Sequence, residues 1–387
     1  MHTRELGRTG LSVGVVSVGA DHLIHATMTD TAAIVDAAID RGVNYFDLVG
    51  PFPEFRDRFA AALRGRRDRV LLTCHLGAAV KNGQYWKTTN LDICRAGVED
   101  FLARNHTDYI DVLFVHNING LTEYQRTLRP GGIMELAHRY RREGVARCVG
   151  MSGHLSEVCV HPVRDGLIDV LMFPVNLSSH AEPGRSALLQ ACVEHGVGVV
   201  AMKAFGGGKL LQTNRTVQFV RYQTGGPTFK KKVPRTLTPV RCLSYVLTQP
   251  AVATTVAGVA NCGELEASLA YLDAGDEDKD FSDAIAGFEQ YHAGECVYCN
   301  HCLPCPVAID IGLISRLVDT LPLGGICVSP GLQARYDALQ VKASACTRCG
   351  ACVKRCPFSV DVLAIIDRAV TLYEAHGIMS VPTGSTV

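Results

Sequence analysis

Residues 109–116 read YIDVLFVH, a short run that is apolar on both alternating faces and ends in a histidine. A strand that is apolar on both faces is typical of a parallel sheet covered by helices. Seven further runs recur, each followed by an amphipathic helical pattern: VGVVSVGA (13–20), NYFDL (44–48), VLLTCHL (70–76), RCVGMSGH (147–154), DVLMFPVN (169–176), VGVVAMKAF (197–205) and TTVAGVA (254–260). Eight such units predict an α/β fold, a (β/α)8 TIM barrel. The alternative is a doubly wound open sheet, which is disfavoured because no G-x-G-x-x-G follows the first run.

The ends of these runs carry polar side chains, which a barrel would gather at one face. They are Asp21, His22, Asp47, His75, His116, Ser152, His154, Asn176 and Lys203. Histidines beside a carboxylate can act as general acid and base, with Asp47 fixing a tautomer. Two histidines and a carboxylate can instead ligate an extra divalent metal. The sequence leaves both chemistries open and makes His75 and His116 the candidate proton donors or ligands.

The run that ends near residue 205 is followed by three glycines, Gly206, Gly207 and Gly208. A glycine turn of this kind can admit a pyrophosphate, and Lys203 beside it can pair with an anionic group. These four residues are the candidate cofactor-binding residues. The next segment, 212–236, is polar and basic and is expected to be a long loop.

Two cysteine boxes lie beyond residue 285, CVYCNHCLPCP (296–306) and CTRCGACVKRCP (346–357). In two-cluster ferredoxins, three cysteines of a box hold one 4Fe–4S cluster and the distant cysteine before proline closes the other cluster. That pattern predicts two 4Fe–4S clusters. The first would be held by Cys296, Cys299, Cys302 and Cys356, and the second by Cys346, Cys349, Cys352 and Cys305. A zinc module is the alternative, but zinc usually uses two separated C-x-x-C pairs.

Composition narrows the class of protein. The chain has 387 residues, is 47% hydrophobic and has a formal net charge of zero, so the sequence predicts neither a nucleic-acid partner nor a membrane partner. The polar opening MHTRELGRTG is not a signal peptide, and sixteen cysteines in a chain without one favour metal or redox chemistry over disulfides. The expected location is cytoplasmic.

Several segments resemble a known family. RELGRTGLSVGVVSVG (4–19), NYFDLVGPF (44–52), YIDVLFVH (109–116), CVGMSGH (148–154) and VAMKAFGGGKL (200–210) are similar, in order, to segments of aldo-keto reductases. The tail resembles the branch of that family that carries a C-terminal ferredoxin-like iron–sulfur domain. The resemblance implies an aldo-keto-reductase-like barrel over residues 1–284 and a ferredoxin-like domain with two clusters over 285–387.

The resemblance also implies site residues. The family reduces carbonyls with NADPH, using an Asp, a Tyr that donates the proton, a Lys that lowers the pKa of the Tyr, and a His. Asp47 and His116 match the Asp and the His, but Phe52 stands at the position of the Tyr and His75 at that of the Lys. The positions that bind the nicotinamide amide fall on Gly153 and Met172. The sequence therefore predicts weak NAD(P)H binding and no ordinary carbonyl reduction.

The prediction is an oxidoreductase that passes electrons through two clusters to or from a small-molecule substrate at the barrel mouth. The expected partner is a ferredoxin- or flavodoxin-type electron donor. Two alternatives stay open: a redox-neutral barrel enzyme, such as a lyase or dehydratase, and a non-catalytic electron-transfer protein. A substrate-dependent change in cluster oxidation state distinguishes the first from both.

Overall fold

The structure is a computed structural model that describes residues 1–211, 219–223, 226–231, 237–285, 288, 294–321 and 328–375. Two compact units form: Met1–Val217 with Val233–Tyr291, and Gln218–Lys232 with His292–Val387. The predicted boundary at 284/285 stays a prediction, because compactness does not show where a part of the chain can fold alone.

The strands of the described residues, in chain order, are β1 (Thr3–Glu5), β2 (Ser12–Gly14), β3 (Val16–Gly19), β4 (Tyr45–Asp47), β5 (Leu71–Leu76), β6 (Ala78–Lys81), β7 (Gln84–Lys87), β8 (Ile110–Val115), β9 (Ala146–Ser152), β10 (Val170–Pro174), β11 (Gly198–Met202), β12 (Phe219–Gln223), β13 (Gly226–Lys231) and β14 (Val252–Gly258). Eight of them close into a barrel in the order β3-β4-β5-β8-β9-β10-β11-β14, and every pairing is parallel. Each predicted run overlaps one of these strands, so the predicted barrel is confirmed.

The α-helices of the described residues are α1 (Met28–Asp40), α2 (Pro53–Ala62), α3 (Leu91–Arg104), α4 (Leu121–Thr127), α5 (Ile133–Arg142), α6 (Ser156–Arg164), α7 (Arg185–Glu194), α8 (Pro239–Leu247), α9 (Cys262–Leu269), α10 (Asp276–Lys279), α11 (Ser282–Ile285), α12 (Ile311–Asp319), α13 (Pro330–Asp337), α14 (Ala351–Arg355) and α15 (Val362–Ala369). In the described part of the chain, no helix is long and apolar enough to cross a membrane.

The antiparallel hairpin β1–β2 supplies apolar side chains to the interior of the barrel. Leu6, Leu11 and Val13 are buried in one cluster with inward side chains of the barrel strands, including Phe114. The hairpin turn approaches the start of β11 so closely that a Cβ at Gly7 would lie 2.2 Å from the amide nitrogen of Gly198. Glycine is required there because its φ of 57° and the contact both exclude a side chain.

Two aspartates near the N-terminal end of the barrel fix the register of neighbouring strands. Asp111 accepts a hydrogen bond from the amide of Leu72 on the neighbouring strand at 2.9 Å, and Asp169 accepts one from the amide of Val149 at 3.1 Å. Arginines neutralise both buried carboxylates, as in the 2.9 Å ion pair between Arg67 and Asp111. Because these bonds hold β5 beside β8 and β9 beside β10, they also set which side chains reach the opposite, C-terminal end of the barrel.

The second unit contains an internal repeat. CPVAIDIG (305–312) and CPFSVDVL (356–363) each end a cysteine box and begin a helix, α12 or α15. Asp310 and Asp361 occupy the same place in each copy and cap the helix, since their carboxylates accept from the amides of Leu313 and Ala364. The two helices are amphipathic and share one apolar core.

The repeat extends to the loops that carry the cysteines. Left-handed φ values recur at matching positions: Tyr298 and Arg348 at 55°, Asn300 at 57° and Gly350 at 71°, Ala308 at 59° and Ser359 at 54°. Each such residue redirects the chain at the same place in both copies.

One expectation about connections was incomplete. The predicted loop 212–236 contains the hairpin β12–β13, and its other residues lie outside the described residues. In the second unit, α13 begins at Pro330. Proline is favoured at the first position of a helix, so this helix start carried a sequence signal.

Candidate active site and cluster ligands

Three predicted residues meet at the C-terminal end of the barrel. Asp47 ends β4, His75 lies on β5 and His116 follows β8, and these three strands are consecutive neighbours. All three side chains are buried. His75 Nε2 lies 2.8 Å from Asp47 Oδ1, and His75 Nδ1 lies 2.9 Å from His116 Nδ1. The predicted cluster therefore forms as a linear chain of hydrogen bonds.

The carboxylate is held in place from behind. Thr73 lies two residues before His75 on the same strand, and its hydroxyl donates to Asp47 Oδ1 at 2.6 Å. The same hydroxyl accepts from the amide of Leu48 at 3.1 Å. Because Thr73 uses its proton on Asp47, that oxygen accepts from both Thr73 and His75, which fixes the orientation of the carboxylate.

A fourth residue, which the sequence analysis missed, extends the chain. The phenol oxygen of Tyr85 lies 2.6 Å from His116 Nε2. Tyr85 belongs to the hairpin β6–β7, which is inserted between β5 and α3 at the mouth. The dipeptide Asn82-Gly83 adopts φ values of 53° and 75°, the geometry of a two-residue hairpin turn. That Asn-Gly pair was the sequence signal that could have revealed the hairpin.

Lys87 fixes the hairpin over the barrel. Its side chain lies on the same face of β7 as Tyr85, since they are two residues apart. The Lys87 ammonium donates to the carbonyl of Asn117 at 2.7 Å and pairs with Glu123 at 2.5 Å. Tyr85 is consequently positioned by an ion pair that is itself outside the hydrogen-bond chain.

His154 lies at the same mouth but takes a different role. Burial lowers the pKa of His154 well below its usual value, and the charges of Lys203, His116 and Lys87 add to this effect. Asn119 Oδ1 accepts from the backbone amide of His154 at 2.8 Å and lies 3.2 Å from its Nδ1. A neutral imidazole that donates from Nδ1 to Asn119 fits both observations.

The first group of cluster cysteines combines residues from both boxes. Burial raises the pKa of Cys302 well above its usual value, and the thiolates of Cys299, Cys296 and Cys356 raise it further. Cys356 belongs to the second box, as does Cys352, whose thiolate has the same effect, so cysteines of both boxes lie near Cys302. Buried thiolates at close range do not stay charged unless a cationic group compensates them, as an iron–sulfur cluster would.

The second group lines a cavity in the cysteine-rich unit. Cys305 from the first box faces this cavity together with Cys346, Cys349 and Cys352 from the second, and Cys302 borders it as well. The backbone amide of Arg348 donates to Cys346 Sγ at 3.4 Å. Apolar side chains complete the walls, which suits a cluster that must be shielded from water.

Single metal ions fit the described residues poorly. In the described ranges, no three His, Cys, Asp or Glu side chains converge as ligands of one ion. The histidines at the mouth bind each other and Asp47 instead, which disfavours a divalent metal there.

Comparison with known proteins agrees with this geometry. The family model "Aldo/keto reductase family" matches residues 11–288, and the model "4Fe-4S binding domain" matches residues 339–360. The chain belongs to the aldo/keto reductase family. It is an aldo/keto-reductase-like oxidoreductase with a 4Fe–4S binding domain, as the sequence predicted.

The proteins that this chain resembles are distant from it in sequence. An uncharacterized oxidoreductase of Bacillus subtilis (strain 168), YqkF, is 25% identical over 70% of this chain and 90% of its own. A D-threo-aldose 1-dehydrogenase of Pseudomonas sp is 24% identical over 52% of this chain and 68% of its own. Among solved structures, the holo form of aldo-keto reductase AKR11C1 from Bacillus halodurans has a TM-score of 0.60 and 22% identity, over 76% of this chain and 98% of that one. At this identity the structural likeness supports the fold alone.

Phe52 stands where the family tyrosine is expected. It forms the N-cap of α2, is half-buried, and its ring centroid lies 6.4 Å from that of His25. A phenyl ring has no proton to donate. His75, which the sequence predicts to align with the family lysine, lies at hydrogen-bond distance from Asp47 and His116.

The expected nicotinamide positions carry no amide side chain. Gly153 donates its backbone amide to the carbonyl of Met172 at 3.2 Å, and the Met172 side chain is buried in the barrel interior. A Cβ at Gly153 would lie 2.5 Å from Cys159 Sγ and 2.7 Å from the carbonyl oxygen of Ile118. The close packing therefore excludes the family asparagine at this position.

The glycine turn after β11 is formed as expected. Gly206, Gly207 and Gly208 have φ values of 56°, 72° and 86°. The amides of Gly206 and Gly208 donate to the carbonyls of Lys203 and Phe205, each at 2.9 Å. Two of the three amides are thus used within the turn, and pyrophosphate binding here stays a prediction. The Lys203 charge acts on Asp21 and His154, which places it at the mouth.

The packing at Gly153 generates a stability prediction. Gly153→Ala forces its Cβ against Cys159 and Ile118, and overpacking of this kind should lower the free energy of unfolding by about 1–3 kcal/mol. The measurement is the thermal unfolding midpoint, followed anaerobically by circular dichroism. Gly97→Ala is the matched control: it lies inside α3 with nothing within 4 Å of its added Cβ, and should raise stability by about 0.5–1 kcal/mol. Equal midpoints for the two variants would contradict the packing argument.

Proposed function

We propose that this oxidoreductase passes electrons through two 4Fe–4S clusters to or from a small-molecule substrate at the barrel mouth. The observation that supports the proposal is that cysteines of both boxes lie close together: Cys356 and Cys352 raise the pKa of Cys302, and Cys302 and Cys305 line one cavity with Cys346, Cys349 and Cys352. When all four cysteines of a set bind iron, no iron is left open, so the clusters transfer electrons rather than bind substrate.

The residues that would hold the clusters are the ones predicted. Cys296, Cys299, Cys302 and Cys356 would hold the first cluster, and Cys346, Cys349, Cys352 and Cys305 the second. Arg355 ties the two boxes together, because its guanidinium donates to the carbonyl of Pro304 at 2.8 Å and reaches that of Cys302 at 3.4 Å. The clusters would supply one-electron redox chemistry.

The substrate chemistry follows from the barrel. Asp47, His75 and His116 form an acid–base chain, while Phe52, Gly153 and Met172 replace residues on which hydride transfer from NADPH depends in the family. We therefore assign proton handling to the mouth and electron handling to the clusters. A ferredoxin- or flavodoxin-type protein is the proposed donor, since each delivers electrons singly.

The test uses anaerobic, dithionite-reduced protein and a panel of small carbonyl compounds, beginning with 4-nitrobenzaldehyde. Cluster absorbance is recorded after each addition. Reoxidation that depends on the compound and yields a reduced product supports the proposal. Turnover of a compound while the clusters stay oxidised would favour the redox-neutral enzyme, and no response to any compound would favour the electron-transfer protein.

Cluster content is the first expected outcome. Anaerobic protein should contain about eight irons and eight sulfides per chain, and Cys356→Ser should damage the first cluster although it lies in the second box. Cys262→Ser is the matched control, because Cys262 is exposed and lies outside both boxes. Iron and sulfide are measured by chemical analysis together with electron paramagnetic resonance. Abundant zinc with little sulfide would refute the proposal.

Weak nicotinamide binding is the second expected outcome. Without amide side chains at residues 153 and 172, we expect a dissociation constant for NADPH of about 0.1 mM or weaker. Isothermal titration calorimetry on the cluster-loaded protein measures it. A micromolar constant would restore hydride transfer from NADPH as the reaction of this barrel.

The third expected outcome concerns His75 and His116. His75→Ala and His116→Ala should each abolish substrate-dependent reoxidation of the clusters, since each breaks the acid–base chain, while cluster absorbance before substrate stays unchanged. His161→Ala, on the exposed face of α6, is the control and should behave as the parent protein. If both chain variants keep full activity, the substrate reacts elsewhere.

A further inference from the structure

Only one proton can lie between the two histidine nitrogens that face each other. His75 Nδ1 and His116 Nδ1 are 2.9 Å apart, a hydrogen-bond distance. Two N–H groups or two lone pairs cannot face each other at that distance, so one nitrogen donates and the other accepts. Each choice dictates what the opposite nitrogen of each ring does.

The first arrangement has both imidazoles neutral. His75 donates from Nε2 to Asp47, which leaves its Nδ1 as an acceptor. His116 then donates from Nδ1, so its Nε2 is an acceptor for the phenol of Tyr85. Every bond runs in one direction, from Tyr85 through both histidines to the carboxylate.

The second arrangement contains one more proton. His75 is doubly protonated, donates to Asp47 from Nε2 and donates to His116 from Nδ1. His116 therefore carries its proton on Nε2 and donates to the phenol oxygen of Tyr85. The added charge lies on His75, 2.8 Å from the carboxylate of Asp47. The two arrangements use the same contacts and differ by a single proton.

We propose that Tyr85 is the group that exchanges a proton with the substrate oxygen, and that His116, His75 and Asp47 supply and store that proton. Tyr85 thereby replaces the phenol missing at Phe52, from a hairpin rather than from the start of α2. The inference rests on the proposed function, to which it adds the acid–base group and a substrate class, compounds with a hydroxyl or carbonyl oxygen.

The proton step balances as follows. A substrate hydroxyl gives its proton to the phenol oxygen of Tyr85, whose own proton moves to His116 Nε2. The Nδ1 proton of His116 moves to His75 Nδ1. The substrate loses one proton, the chain gains one, and Tyr85 stays neutral throughout. The reverse sequence delivers one proton to a carbonyl oxygen.

The burial of the four residues agrees with proton entry and exit at Tyr85. Asp47, His75 and His116 are buried, whereas Tyr85 is half-buried and is the one member of the chain that lies on an inserted hairpin. Proton exchange with a small molecule must occur at the accessible end of such a chain. Among the residues that the structure describes, the charged and titratable groups that face the chain are Asp21, His22, Lys87, Glu123, His154 and Lys203.

Nuclear magnetic resonance of the cluster-loaded, full-length protein tests the proposal without a known substrate. Histidine is labelled with 15N and tyrosine with 13C at Cζ, and Asp47→Asn, His75→Gln, His116→Gln and Tyr85→Phe provide assignments. As pH falls, His75 should gain a proton on Nδ1. At the same midpoint, His116 should exchange its Nδ1 proton for one on Nε2, and the Cζ shift of Tyr85 should move.

The variants separate a relay from a structural network. Asp47→Asn removes the charge that stabilises the His75 cation, so all three changes should shift together to lower pH by about one unit or more. Tyr124→Phe is the matched control, because its phenol also makes a 2.6 Å bond, to Asp165, and it should change nothing at the mouth. A His116 that keeps one tautomer while His75 titrates overturns the proposal. So does a Tyr85 signal that does not follow His75.

These experiments distinguish a failure of the proton relay from a failure of the proposed function. Linked changes in Tyr85, His116 and His75 in a protein without iron–sulfur clusters would support the relay and refute the electron path. Clusters that respond to a substrate, in a protein whose His116 never changes tautomer, would support the electron path and refute the relay. For any carbonyl compound the enzyme reduces, Tyr85→Phe should lower turnover by about 100-fold or more, and Tyr124→Phe should leave it unchanged.

Discussion

The parallel pairing of β5 with β8 is the constraint on which the site depends. It places His75 opposite Phe114, and the amide of His116 donates to the carbonyl of Leu76 at 3.0 Å. The two imidazoles then meet edge to face, with ring centroids 5.0 Å apart and planes at 81°. A slip of one residue would turn His75 to the other face of its strand and break the chain at its centre. The buried Asp111, which bonds to the start of β5, holds the register that prevents this slip.

The barrel could be predicted because its strands are apolar on both faces, and few other local patterns have that property. The positions of Asp47, His75 and His116 followed, since strand ends of a parallel barrel meet at one edge. The contribution of Tyr85 could not be predicted in this way. Its Asn-Gly turn indicates a hairpin, but the angle at which that hairpin lies over the mouth is set by tertiary contacts. Lys87 bonds to a carbonyl 30 residues away, and no local pattern encodes that contact.

The substitutions at the mouth are consistent with one another. A phenol at residue 52 would need a nearby cation to be an effective acid, and His75 commits one nitrogen to Asp47 and the other to His116. Gly153 is packed against Ile118 too closely to carry an amide side chain. In the alignment that the sequence predicts, Phe52 takes the place of the family tyrosine and adds apolar surface rather than a second acid. The proposed function follows from that prediction: proton exchange at the mouth without hydride transfer.

The proposed function would deliver electrons and protons by separate routes, which sets an electrostatic requirement at the site. A hydride brings two electrons and one hydrogen to carbon, so the protein adds a proton to oxygen alone, whereas single electrons from a cluster would leave both protons to the protein or the solvent. A lone buried histidine that accepted a proton would become an uncompensated cation, which costs several kcal/mol in a desolvated site. In the proposed relay the cation would form on His75, beside the Asp47 carboxylate, which also accepts from the hydroxyl of Thr73. The proton would move between groups that stay paired before and after transfer, so the relay can remain buried while Tyr85, at its end, exchanges protons with the substrate.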